Sequence, residues 1–224
     1  MKALAPSLLF AFVLVAGACA QDSTLQIGGV VVEKRQMIGA EGQKEAATGD
    51  LTGDGRADLV IAGRDSVTVL TDRPPKALTV LGRFPAGPNP VGPAVTDLDG
   101  DGFLDVAVAN HNTTLLTLLQ GDGRGRLRPF PHSPLSINVA PHPHAVRAAD
   151  LDSDGHMDLI VDHRDGEGVL ILRGTGHGRF ATPGTLVDVG GDPYRGMAIG
   201  DLDGDGTPDL VTPNPDAVGA LLNR

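Results

Sequence analysis

Asp97-Leu-Asp99-Gly-Asp101-Gly-Phe103-Leu-Asp105 is followed at once by the apolar run Val106-Ala-Val-Ala109. Carboxylates at positions 1, 3, 5 and 9 of one short loop repel one another unless a hard cation with oxygen ligands sits among them. The glycine at position 6 gives such a loop its sharp turn, and this is the spacing of a calcium loop. The pattern recurs as Asp150-Leu-Asp152-Ser-Asp154-Gly-His156-Met-Asp158 and as Asp201-Leu-Asp203-Gly-Asp205-Gly-Thr207-Pro-Asp209. A weaker copy, Asp50-Leu-Thr52-Gly-Asp54-Gly-Arg56-Ala-Asp58, carries threonine at position 3. The first aspartates stand 47, 53 and 51 residues apart, and a period near 50 points to a repeat array such as a propeller.

Each unit reads alike: a short apolar stretch, the Asp loop, an apolar run, a polar turn, a second apolar run and a Gly-rich turn. In the second unit these are Val106 to Ala109, Asn110-His-Asn112, Leu115 to Leu119 and Gly121 to Gly125. In the third they are Leu159 to Val161, Asp162 to Gly168, Val169 to Leu172 and Gly174 to Phe180. These runs have strand length and are bounded by turn residues. Four strands per unit is the make-up of a propeller blade, so the expected fold is all-β, a β-propeller of about four four-stranded blades. An EF-hand is excluded, because it needs flanking helices and an acid at position 12, where this chain has Ile61, Val108, Val161 and Thr212.

The repeated Asp-x-Asp-x-Asp-Gly-x-x-Asp before an apolar strand, with Gly-x-Gly-x-Phe turns between copies, resembles the FG-GAP or VCBS repeats of integrin-alpha-type β-propellers. The resemblance spans residues 27 to 224. Gly82-Arg-Phe84 and Val91-Gly-Pro-Ala94 stand where the family has its Phe-Gly and Gly-Ala-Pro signatures. It implies that each Asp loop joins the first and second strands of a blade and holds calcium. Such propellers serve adhesion, sugar binding and scaffolding.

The last unit supplies three strands, whereas a strand-like segment, Ile27 to Val32, precedes the first. Ring closure by an N-terminal strand completing the last blade is the expectation, since closure removes exposed sheet edges. Two alternatives stand beside it, an open four-blade fragment and two chains associating to complete a larger ring.

Residues 1–20 read as a cleaved signal peptide: Lys2, the apolar run Ala3 to Ala18, and Ala18-Cys-Ala20 as a small-x-small cleavage site, leaving the propeller at 21–224. Acylation of Cys19 as a lipid anchor is the competing reading. Either way the chain is expected outside the cytoplasm, secreted, periplasmic or at the cell surface, with no membrane span. Cys19 is the only cysteine, so no disulfide staples the domain and calcium is the substitute. The net charge is −10, and fifteen of the 28 acidic residues lie in the four loops, so the acidity is local metal chemistry. No basic stripe suited to nucleic acid occurs.

The expected ligands of about four structural Ca2+ ions are the side chains of Asp97, Asp99, Asp101 and Asp105; of Asp150, Asp152, Asp154 and Asp158; of Asp201, Asp203, Asp205 and Asp209; and of Asp50, Thr52, Asp54 and Asp58. Backbone carbonyls at position 7 belong to Phe103, His156, Thr207 and Arg56. Ions wrapped this closely act structurally.

The opposite rim should collect Lys44, Arg64, His111, Asn112, His142, His144, His163, Arg164, Tyr194 and Arg195. Three readings apply to it: a solvated polar rim, a surface for an anionic, sugar or protein ligand, and a transition-metal or acid/base site. With no Trp and one Tyr, a lectin lacks its usual stacking rings. No Gly-x-Ser-x-Gly, His-Glu-x-x-His or phosphate-cradling loop is present. The favoured expectation is therefore a non-enzymatic binding, adhesion or scaffolding module with a protein or glycan partner. The alternative is a polysaccharide-acting lyase or hydrolase, or a lectin, using the histidine rim. Clustering of the histidines with one another and with an acid or Arg separates the two.

Overall fold

The computed structural model describes residues 45–72, 78–137, 142–163, 168–191, 193 and 196–224, and the backbone of strands β1 (Thr24–Ile27) and β2 (Val30–Glu33). The chain divides into two compact units, Met1–Ala40 and Glu41–Arg224. In the first, β1 and β2 pair antiparallel with each other, Thr24 opposite Glu33 and Ile27 opposite Val30.

The second unit is all β among the described residues and forms four antiparallel sheets, the blades of a four-blade β-propeller. The first blade is β3 (Glu45–Gly49), β4 (Asp58–Ala62), β5 (Ser66–Thr71) and β6 (Thr79–Pro85). The second is β7 (Pro90–Thr96), β8 (Asp105–Asn110), β9 (Leu115–Gly121) and a split fourth strand. Its pieces β10 (Leu127–Pro129) and β11 (Leu135–Ser136) pair with successive stretches of β9. The third is β12 (Val146–Ala149), β13 (Asp158–His163), β14 (Gly168–Leu172) and β15 (Thr185–Asp188). The fourth is β16 (Ala198–Gly200), β17 (Asp209–Pro213) and β18 (Val218–Leu221).

The segment expected to complete the last blade pairs within its own hairpin, and the last blade has three strands among the described residues.

The apolar runs are continuous because each middle strand is buried on both faces. Side chains alternate along a strand, so in β8 Val106 and Val108 face the first blade while Ala107 and Ala109 face the third. In β13 Leu159 and Val161 join the core shared with the second blade, and Ile160 joins the one shared with the fourth. Three interblade cores result, with Leu118, Leu159 and Leu172 fully buried in the central one. The outermost strands β15 and β18 keep exposed positions such as Leu186 and Val218. Inner strands β7 and β12 approach so closely at Gly92 that a Cβ there would lie 2.5 Å from Ala145 Cα.

Candidate metal centres and the opposite rim

The four Asp loops lie between the first and second strands of each blade, β3–β4, β7–β8, β12–β13 and β16–β17, at one rim. Their turns follow from local hydrogen bonding. Asp97 accepts the N–H of Gly100 on Oδ1 at 2.7 Å and that of Gly102 on Oδ2 at 2.8 Å. Asp201 does the same with Gly204 and Gly206, at 2.7 and 3.1 Å. Asp50 and Asp150 accept from the residues at positions 5 and 6. The position-5 carboxylates of Asp54, Asp101, Asp154 and Asp205 accept the N–H of Arg56, Phe103, His156 and Thr207 at 2.8 to 3.0 Å. Position 6 is left-handed in every loop, with φ from 81° at Gly55 to 92° at Gly206. Nothing crowds a Cβ at those glycines, so the backbone angle alone selects the residue. Position 4 is left-handed too, and there Ser153 sits at φ 59° where the other loops have glycine.

Position 9 plays a part that spacing did not reveal. Asp105 is fully buried and uses both oxygens on the backbone, accepting Leu98 N–H at 2.8 Å and Gly121 N–H at 2.7 Å. Asp158 clamps Leu151 and Gly174, and Asp209 clamps Leu202 and Asn223. Asp58 accepts Thr52 N–H at 3.0 Å. Each therefore ties its loop to the hairpin, whatever else it binds. Burial pushes the Asp105 carboxyl up to about 7 despite those two N–H groups, with Asp99 and Asp101 adding to the rise.

Three sets of carboxylates converge: Asp97, Asp99 and Asp101; Asp150, Asp152 and Asp154; Asp201, Asp203 and Asp209. In each set, oxygens from all three residues lie within 4.8 Å of one another, a donor set that fits a hard cation. Asp105, Asp158 and Asp205 lie outside these sets. In the first loop Thr52 Oγ1 donates to Asp50 Oδ1 at a long 3.5 Å.

The opposite rim is real for the part that is described. His111 follows β8, His142 and His144 precede β12, His163 ends β13, and Arg64 turns between β4 and β5, all at the ends away from the Asp loops. Lys44, Arg164, Tyr194 and Arg195 lie outside the described residues, as does the segment 1–20 expected to be a signal peptide. Three histidines come together: His111 lies 4.9 Å from His142 and 4.6 Å from His144 between ring centres, and His142 and His144 are 6.3 Å apart. Asn89, whose side-chain nitrogen is 3.1 Å from His111 Nδ1, and Asp162 were missed from sequence. Asp162 is an acid ending the run Leu159-Ile-Val161, which is the signal that could have found it. It is fully buried, and its Oδ1 accepts the N–H groups of His144 at 2.6 Å and Ala145 at 2.8 Å. Burial pushes its carboxyl up to about 6, those two N–H groups pull the other way, and Glu45 adds to the rise.

A family model for the FG-GAP-like repeat matches residues 50–108, 97–161 and 164–212. The chain belongs to the FG-GAP repeat family. No curated protein matches its sequence significantly. Among solved structures, an Agrocybe aegerita lectin that recognises non-reducing terminal N-acetylglucosamine is similar at TM-score 0.54 and 20% identity, over 80% of this chain and 49% of that one. BBS1N in complex with ARL6DN is similar at TM-score 0.53 and 17% identity, over 82% and 55%. This FG-GAP chain thus spans about half the length of the structures it matches, and at such identity the likeness is one of fold. No helix among the described residues is long and apolar enough to cross a membrane.

Proposed function

We propose that this FG-GAP propeller is a calcium-stabilised, exported, non-enzymatic binding module that engages a protein or glycan partner through the rim opposite its Asp loops. The observation that carries the calcium part is the convergence of three carboxylate sets, each with oxygens within 4.8 Å. Like charges that close raise one another's proton affinity unless a cation neutralises them. The side chains of Asp97, Asp99 and Asp101, of Asp150, Asp152 and Asp154, and of Asp201, Asp203 and Asp209 would hold the ions. Bound calcium would fix each hairpin and so replace the disulfides that the chain does not have. The Asp loops use up one rim, which leaves the histidine rim for a partner. Two proteins of similar fold, one recognising a sugar and one in complex with a protein, support a partner of either class.

The test has two arms. Calorimetric calcium titration of EDTA-stripped protein should give at least three sites, and glycan and protein arrays probed with calcium-loaded protein should give a partner whose binding His142→Ala weakens. Absence of calcium binding overturns the first part, and a partner indifferent to His142→Ala overturns the second. The histidine cluster favours a second reading, a polysaccharide-acting lyase or hydrolase, which release of reducing ends or unsaturated products from polyanionic glycans would reveal.

A further inference from the structure

We propose that His111, His142 and His144 form a site for a borderline divalent transition cation of the Zn2+, Ni2+ or Cu2+ class, separate from the Asp loops in place and in ligand chemistry. Imidazole selects these ions, whereas carboxylate and carbonyl oxygens select calcium and magnesium. With metal–nitrogen bonds of about 2.0–2.1 Å and tetrahedral angles, three imidazoles on one ion have ring centres about 5 Å apart. The observed separations of 4.6, 4.9 and 6.3 Å bracket that value. The rings meet edge to face and tilted, at 86° and 54°, so they are not locked in a face-to-face stack.

The backbone that carries the three rings is anchored on two blades. His111 donates its N–H to Asn89 O at 3.1 Å, which ties the turn after β8 to the start of β7. His144 is tied to β13 through the buried Asp162, and Asp162 N–H returns to Ala145 O at 3.2 Å. His142 and His144 bracket Pro143. Alternate residues of an extended chain face one side, so this pair can serve one ion. A turn of the Asn89 amide, whose nitrogen lies 3.1 Å from His111 Nδ1, would present its oxygen to an Nδ1–H, the outer-shell arrangement that metal-bound imidazoles use. Three protein ligands leave one coordination position for water or for a donor from outside.

The experiment uses the full chain saturated with calcium, so that the Asp loops cannot take up the probe. Zn2+ titrated by calorimetry at pH 7.5 should bind at one equivalent, and at pH 5.5, where imidazoles protonate, the affinity should fall at least tenfold. His111→Ala and His142→Ala should each weaken it at least tenfold, with His177→Ala as the unaffected control. Co2+ should give the visible spectrum of a nitrogen-ligated tetrahedral ion in the wild type and lose it in His142→Ala. If either variant unfolds, its Gln counterpart replaces it. Zinc binding that both His variants leave unchanged, or none tighter than about 100 μM in the wild type, overturns the proposal. Neither probe involves a protein or glycan partner, so the result is independent of whether this rim also binds one.

Discussion

Gln120 donates its side-chain N–H to Asp99, the position-3 acid of the second Asp loop, and its own amide oxygen accepts two N–H groups of Arg128 at 3.1 and 2.8 Å. The same place in the next two blades, again 21 residues after the position-3 acid, is an arginine. Arg173 forms an ion pair with Asp152, and Arg224 Nε lies 3.9 Å from Asp203. A guanidinium on a ligand carboxylate competes with a cation, whereas an amide does not carry that charge. The loop at Asp97 should therefore bind calcium most tightly of the three complete loops. Gln120→Arg should weaken it by about tenfold, or about 1.4 kcal/mol, and Arg173→Gln should tighten the loop at Asp150. Calorimetry on the two variants checks this, and unchanged affinities in both would refute it.

Calcium should also carry much of the stability. An ion that binds only the folded chain at a hundredfold excess over its Kd adds roughly 2.7 kcal/mol per site. Chelation with EDTA should lower Tm by several degrees, read by thermal melts of protein shown to contain calcium beforehand. An unchanged melt refutes it.

The ion-free loop at Asp97 should take up a proton near neutrality, because burial raises Asp105 to about 7. Below that pH the proton competes with the cation, and above it the carboxylate is free to respond. Calcium binding at pH 6.5 should therefore release protons, and affinity at this loop should drop between pH 8 and pH 6. Titrations in buffers of different ionisation enthalpy measure the release, and heats that do not depend on the buffer would count against it.

Thr52 leaves the first loop with one carboxylate fewer, and no converging triad forms there among the described residues. That loop should empty first as calcium falls, since affinity rises with ligand charge. Thr52→Asp should tighten it at least several-fold. Four equal sites in the wild type, or no gain in the variant, would show otherwise.

Asp162 links stability to pH in the opposite sense from a salt-bridged acid. Its folded value, about 6, lies above the ordinary 3.8, so its favourable contribution is full below that ordinary value and is lost as pH rises through 6. Asp162→Asn keeps an oxygen for the N–H groups of His144 and Ala145 but carries no charge. Its stability relative to wild type should therefore improve by about 1–3 kcal/mol between pH 4.5 and pH 7. Denaturant melts at the two pH values decide this, and a difference that does not change with pH would contradict it.

The four Asp loops and the strand-length apolar runs that follow them were legible in the sequence. The loops are local: a carboxylate reaches backbone N–H groups three to five residues on, as Asp97 does, and glycine at position 6 answers to its own φ. The blade count followed from the same repeat. What only the tertiary structure decided involves residues far apart in the chain. Asp105 reads as one more loop carboxylate until folding brings Gly121 N–H to it from β9. Asp162 reads as a turn residue until β12 lays the backbone of His144 and Ala145 across it. The meeting of His111 with His142 and His144 depends on how two blades pack. Periodicity specifies what each strand buries, but not which polar groups distant strands bring together.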